Sequence, residues 1–458
     1  MRTATRERNG RTSGQAPGAS PSSRRQRRNG PGDDAPLPPS PASTTAPRPV
    51  PATTTLRPLS RTSHVGPFQL RQLVLVEVAL ALAAAGVALG GLWLVPTVTV
   101  GCVLVLFAVV RRRGHAVQDW LGTVLSLRAR ERAAGPAAVY VDPSLAPVAE
   151  SVPALRPYTY VDRDRRTVGM VGDGSFLTAV VRVEASGSAL RPAFGARALP
   201  LSLLGGALEV DDIRLESVQL VQQVRSAPAP HLPQQSVARL SYVPLQEKTG
   251  APALRLTWVA VKLDPELCRE AVDARGGGVE GAQRCLVRVA DHVASRITGA
   301  GFRAVVLDQE ELNSTVATSA CASPVQAALA GRPDAAPSRR TAETARVWRC
   351  DDRWHTTYAV GRWPELGRGA APLPKLVSLL TATPAYATTF SLTLRRGTRL
   401  GAMTVRGHVR ITGGSDTELV GVRRLLEQAA RSAKVGLVRL DREQLPGALA
   451  TLPLGGAR

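Results

Sequence analysis

Three stretches of the chain combine residue types able to do chemistry. Asp162-Arg163-Asp164 has the D-x-D form, in which paired carboxylate oxygens hold a hard divalent cation against a nucleotide-linked substrate. Arginines at 163, 165 and 166 stand in the same DRDRR run and neutralise those acids, so a charged turn is the plainer reading. Gly169 to Gly174 reads GMVGDG, but the chain has no G-x-x-x-x-G-K-[ST] and no lysine nearby. A phosphate loop, and with it an ATPase, is not expected. The densest set of metal-capable side chains is Cys350, Asp351, Asp352 and His355 in CDDRWH. Zinc would need a further ligand from elsewhere, and a strand and turn packed beside Trp348, Trp354 and Trp363 accounts for the same residues. The five cysteines are scattered without a C-x-x-C, which excludes a disulfide-stapled scaffold. His292, between Asp291 and Val293 on a helical pattern, reads as a solvated or core-edge side chain. None of these patterns reaches the specificity of a catalytic constellation. The sequence therefore predicts no catalytic residue, no metal and no cofactor.

The elements that carry these residues alternate between strand and helix. Strand patterns run over Tyr158 to Val161, Thr178 to Val183, Ser217 to Val224, Leu254 to Leu263, Arg303 to Leu307, Thr356 to Val360, Thr388 to Leu394, Thr404 to Ile411 and Gly436 to Leu440. The Gly172-Asp173-Gly174 turn signal predicts that the first two pair antiparallel. Helices are predicted over Pro265 to Ala274, Gly281 to Thr298, Leu373 to Thr381 and Asp416 to Ala433. This alternation argues for a mixed-sheet α/β domain over residues 136–458, with Ser226 to Gln234 or Arg332 to Arg340 as possible boundaries between two lobes.

Upstream of that domain the composition changes twice. The chain of 458 residues has 58 Lys+Arg against 36 Asp+Glu, a net charge of +22. Only Lys248, Lys262, Lys375 and Lys434 are lysines, so the arginine excess reflects base composition and gives little reason to expect nucleic acid. Residues 1–68 are basic and proline-rich without an apolar period, the composition of a disordered tail. Residues 73–110 then hold a single charge, Glu77. Thirty-eight such positions suit two membrane helices, about 72–89 and 92–110 within a 69–112 hairpin, because one span needs about 20 residues. Gly90-Gly91 is the natural break. Arg57, Arg61 and Arg71 before the spans and Arg111, Arg112 and Arg113 after them predict that both ends are cytoplasmic. Gly86, Gly90 and Gly101 with the intervening alanines offer a small-residue surface for another helix, and Glu77 lies near the cytoplasmic face or at a helix contact. Within 113–135, Val117, Trp120, Leu121, Val124 and Leu125 recur at helical spacing opposite Arg128, Arg130 and Arg132. This pattern predicts an amphipathic helix that either lies at the membrane interface, its arginines on anionic headgroups, or packs on the soluble domain.

The order of these parts resembles the EccE family of bacterial type VII secretion systems. A basic tail precedes a hairpin whose first span carries LVLVEVALAL. Then come the RRRG junction (Arg111, Arg112, Arg113, Gly114), Trp120-Leu121, and Arg128, Arg130 and Arg132. The likeness is densest over residues 68–185 and is architectural beyond 190. It implies a non-catalytic plasma-membrane subunit of a translocon, with Glu77, Gly86, Gly90, Arg111, Arg112, Arg113, Trp120, Leu121, Arg128, Arg130 and Arg132 as membrane or partner contacts. The partners implied are the core ATPase (EccC-like), EccB-like and EccD-like subunits and anionic lipid headgroups, with no nucleic acid. The resemblance also implies that the cytoplasmic domain has a degenerate glycosyltransferase-like fold. A membrane-anchored glycosyltransferase-like enzyme is the competing expectation.

Overall fold

The structure is a computed structural model. It describes residues 56–58, 70–91, 94–109, 111–112, 115–135, 142–185, 198–226, 254–334, 336, 338–364, 373–397 and 402–456, with isolated positions between 233 and 244. Nearly all of the basic tail, Trp93, Arg113 and most of the 226–234 stretch lie outside the described residues.

Thirteen strands form the main sheet among the described residues. In chain order they are β1 (Leu56–Pro58), β2 (Arg156–Val161), β3 (Thr167–Gly172), β4 (Leu177–Ala185), β5 (Ser217–Arg225), β6 (Leu254–Leu263), β7 (Phe302–Val306), β8 (Thr341–Glu343), β9 (Trp348–Cys350), β10 (Arg353–Arg362), β11 (Ala387–Arg396), β12 (Met403–Gly413) and β13 (Gly436–Arg439). The spatial order is β8-β9-β10-β12-β11-β5-β6-β4-β3-β2, with β1 on β12, β7 on β4 and β13 on β10. All these pairings are antiparallel except β1 with β12. An antiparallel sheet is not the doubly wound parallel sheet on which nucleotide crevices form at strand ends, so the glycosyltransferase-like fold gains no support.

β3 was not foreseen. It lies between the two strands expected to pair, so the 172–174 turn joins β3 to β4 while the DRDRR turn joins β2 to β3. Residues 226–253 connect β5 and β6, which are direct neighbours paired from Leu254↔Arg225 to Lys262↔Ser217; the sheet is continuous across this connection.

Strand alternation gives the sheet two inner faces. Val218, Val259, Val261, Phe390, Leu392, Val409 and Ile411 form one apolar core. It is covered by α5 (Gly278–Gly299), α7 (Leu373–Thr381) and α8 (Asp416–Ser432). On the other face Val221, Trp258 and Ala260 meet α4 (Ala146–Ser151), α6 (Gln309–Ala320) and α9 (Gln444–Leu449). The centre of that second face is polar: Gln219, Gln223, His355, Thr357, Thr389, Ser391, Arg410 and Thr412 are all buried. Burying such groups is tolerable only with hydrogen-bond partners, and residues 450–455 supply some of them, as they do for the neighbouring Ser217. Gln219 Nε2 and Ser391 Oγ donate to Ala450 O (2.8 and 2.7 Å), Ser217 Oγ donates to Gly455 O (2.6 Å), and Gly455 N donates to Gln219 Oε1 (2.8 Å). Gly455 has φ +85° and packs so close that a Cβ there would fall 2.5 Å from Lys262 Cβ, so glycine is required.

Ahead of the domain, α1 (Leu70–Leu89) and α2 (Leu94–Val109) form an antiparallel hairpin that turns at Gly90 and Gly91, both at positive φ. Small residues make the seam. A Cβ added at Gly86 would overlap Thr97, and one at Gly101 would sit 3.3 Å from Ala79 O. The small-residue surface foreseen for a foreign helix is thus used, at Gly86, Ala79 and Gly101, between the two helices of this chain. Among the described residues no helix is long and apolar enough to cross a membrane. The 16 residues of α2 extend about 24 Å at 1.5 Å per residue. Beyond a short ladder pairing Arg111 with Ala116 and Arg112 with His115, α3 (Val117–Ala133) leads to the domain.

Candidate functional site: the junction between helix α3 and the sheet edge

α3 meets the domain through one face. Leu127 and Arg130, three residues apart and therefore neighbours on the helix surface, turn inward: Leu127 is buried and Arg130 half-buried, while Arg128 and Arg132 are exposed. Arg130 Nε and Nη2 donate to Glu343 Oε2 and Oε1 at 2.8 and 3.0 Å, and Nη2 also donates to Arg442 O at 2.7 Å. Glu343 Oε1 accepts in addition from Leu445 N at 3.0 Å, in the first turn of α9. The Glu343 side chain is 4% exposed and that of Arg130 27%. A bidentate guanidinium–carboxylate pair fixes orientation as well as distance. One pair therefore aligns the hairpin-bearing helix, the edge strand β8 and the segment leading into α9.

A second, fully enclosed ionic cluster holds the same strand from its other end. Glu150 of α4 accepts from Arg340 N (2.9 and 3.0 Å), Thr341 N (2.9 Å) and Thr341 Oγ1 (2.8 Å). Arg340 in turn grips Asp351 through Nε and Nη2 at 2.8 and 2.7 Å and donates to Pro143 O. Asp351 Oδ2 also accepts from Ser323 N at 2.7 Å. Burial pulls the Arg340 pKa down, but the hydrogen bonds and charge of Asp351 outweigh it and leave the value raised. Between the two clusters lies a pocket of about 140 Å³ lined by Arg130, Glu150, Arg339, Glu343, Trp348 and Leu445 among others. Every oxygen of Glu150, Glu343 and Asp351 already accepts from a donor, so none is free to act as a base. The arrangement is suited to holding parts together.

The residues singled out from sequence are distributed unevenly around this junction. Arg130 belongs to it, Leu121 is half-buried further up α3, and Arg128 and Arg132 face outward. Trp120 lies on α3, Arg111 and Arg112 on the short ladder that precedes it, and Glu77 is exposed on α1. Gly86 is in the hairpin seam and Gly90 at its turn. Of the two placements expected for this helix, at the membrane interface or packed on the soluble domain, the pairing of the Arg130 guanidinium with Glu343 agrees with the second. The D-x-D pattern closes a tight turn, with Arg165 N on Asp162 O (3.0 Å), Arg163 N on Asp162 Oδ1 (2.7 Å) and Arg165 at φ +58°. In CDDRWH, Asp351 serves Arg340, and His355 Nδ1 meets Thr412 Oγ1 at 3.0 Å. Among the described residues no group of three His, Cys, Asp or Glu could hold a metal ion. Gly169 sits where the start of α6 presses on β3, and a Cβ there would lie 2.4 Å from Asp308 O; close packing accounts for that glycine without a phosphate.

A known family matches the part of the sequence that bears this edge. The family described as "Putative type VII ESX secretion system translocon, EccE" matches residues 251–360, which run from β6 through Arg340, Glu343 and Asp351 into β10. The chain is also 28% identical over 226 residues to the ESX-1 secretion system protein EccE1 of Mycolicibacterium smegmatis. Over part of its length the chain is thus similar to EccE proteins. That alignment covers 46% of this chain and 42% of the relative, so the chain matches less than half the relative's length. The EccE-matched stretch contains both acids that receive the arginines at the junction, Glu343 and Asp351, while Arg130 lies upstream of it. Sequence reasoning missed Glu343 and Arg340 altogether. The signal that could have found them is faint: two charged residues flanking a short apolar-polar alternation, RTAE, in a region otherwise read as a linker.

Proposed function

We propose that the chain is a non-catalytic membrane subunit of a type VII secretion apparatus. In this reading α1 and α2 insert as a hairpin with both flanks cytoplasmic in the plasma membrane, and the α/β domain braces the cytosolic parts of neighbouring subunits. The observation that carries it is the packing of the hairpin. Its seam is small residues, and its outer surface is large and apolar: Leu80, Val87 and Val95 are each about two-thirds exposed. Water does not favour such an outer surface, whereas lipid or other transmembrane helices do. The match of residues 251–360 to the EccE family model supports the assignment to secretion. Subunits like EccB, EccC and EccD, and anionic headgroups at Arg111, Arg112, Arg128 and Arg132, are the partners this reading names.

Cys102 offers a direct test. It is exposed on α2, while Cys268, Cys285, Cys321 and Cys350 are buried. In sealed native membranes a membrane-impermeant maleimide should leave Cys102 unlabelled until detergent is added. Mild-detergent capture of the tagged chain should then bring down a large complex containing an ATPase subunit. Ready labelling of Cys102 in intact membranes, or recovery of a small lone species, would sink the proposal.

A further inference from the structure

We propose that the polar inner face of the sheet holds a small inorganic anion, of halide size, against the Arg410 guanidinium. Arg410 is wholly buried at the middle of β12. Strand register places Thr357 on one side of it and Thr389 on the other, with Gln223 next in the same row. Thr412, two residues along the same face, stands opposite His355, whose ring centroid lies 4.8 Å from that of Trp348. From the covering layer, Ser319 O accepts from Arg410 Nη2, and Thr389 Oγ1 accepts from the same nitrogen at 3.4 Å.

What remains unmet on this face is chiefly donors. Among the described residues, Arg410 Nε and Nη1, Trp348 Nε1, His355 Nε2, Ser319 Oγ and Thr357 Oγ1 are buried without a hydrogen-bond partner, against one obligate acceptor in the same row, Gln223 Oε1. Arginine and tryptophan can only donate, so their complement must be an acceptor. Charge points the same way. A guanidinium keeps its proton in proteins, and buried charges are paired. Yet among the described residues no carboxylate bonds to Arg410, and the nearby Asp351 is committed to Arg340. The neighbouring thiol of Cys350 is pushed well up by burial and stays neutral. Water would satisfy the donors without balancing the charge. Arg410, His355, Ser319, Thr389 and Thr412 are each fully inaccessible, which favours a monoatomic anion over a phosphate or an organic acid.

The test uses the full chain in detergent, purified throughout in sodium chloride, sodium bromide or sodium gluconate at equal ionic strength, and followed by thermal unfolding. Chloride and bromide should raise the midpoint over gluconate by about 2 °C or more, and Arg410→Met should abolish the difference. Equal midpoints in all three salts would overturn the proposal, as would an undiminished halide effect in Arg410→Met, which would mark a general salt effect. Should that variant fail to fold, anomalous scattering from bromide-grown crystals of the unaltered chain decides: a peak at Arg410 Nε and Nη1 supports the site, and its absence refutes it.

Discussion

Replacing Arg130 by methionine keeps the aliphatic stem but removes the guanidinium, leaving Glu343 with only Leu445 N as a donor. Removing one partner of a fully buried ion pair costs about 3–5 kcal/mol, whereas an exposed pair is worth about 0–1 kcal/mol. Here the carboxylate is 4% exposed and the arginine 27%, so the cost falls between, at about 2–3 kcal/mol, including the lost bond to Arg442 O. A double-mutant cycle with Glu343→Gln isolates the pair, and a coupling of about 1.5 kcal/mol or more is expected. Denaturant unfolding of the full chain in detergent, read through tryptophan fluorescence, gives the stabilities. Spin labels on cysteines placed at the exposed positions Arg128 and Arg346 give the geometry, because the interlabel distance distribution should broaden in Arg130→Met if α3 is fastened there. A coupling below about 0.5 kcal/mol together with an unchanged distribution would refute the view that this pair aligns α3 with the sheet edge.

Three further outcomes follow from the geometry. Burial, with help from the Arg410 and Arg353 charges, holds His355 well below the ordinary histidine range. The neutral ring then contributes stability above pH ~6.5 that is lost as pH falls. Between pH 7 and 5.5 stability should fall, by on the order of 1 kcal/mol, and His355→Asn should remove that part of the pH slope in urea titrations. Gly86→Leu should force α1 and α2 apart at Thr97; efficient disulfide crosslinking of engineered cysteines at Ala79 and Gly101 in the otherwise unaltered chain, reduced in the variant, would show it. Asp162→Asn with Asp164→Asn should leave complex recovery unchanged and stability within about 0.5 kcal/mol, as expected of a surface turn; a marked loss of recovery would point back to chemistry at that turn.

The strands of the sheet were largely legible because their apolar residues alternate. Leu254 to Leu263 is a strand over that range, and Leu373 to Thr381 is a helix. α6 was not foreseen despite its capping box of Asp308 and Glu311, because its apolar residues, Leu312 and Val316, are too few to set a period. β3 was hidden by its glycines, Gly169 pressed by the start of α6 and Gly172 pressed by Phe176 O, which weaken the strand pattern. The junction was illegible for a different reason. Arg130 and Glu343 are more than two hundred residues apart in the chain, and an arginine beside an apolar hairpin reads first as a lipid contact. Only the register of Leu127 with Arg130 on α3 distinguishes it from Arg128 and Arg132.

The strap formed by residues 450–455 has a consequence for biogenesis. Its carbonyls receive side chains from β5 and β11, and the inner face cannot close until that late segment has left the ribosome. α1 and α2 emerge more than three hundred residues earlier, and synthesis proceeds from the N-terminal side at about 5–20 residues per second. The hairpin therefore has tens of seconds in which to reach its final environment while the sheet behind it is still open. A chain stalled before residue 444 would carry a complete α1–α2 hairpin and an unfinished domain, the form most readily recognised by quality-control proteases.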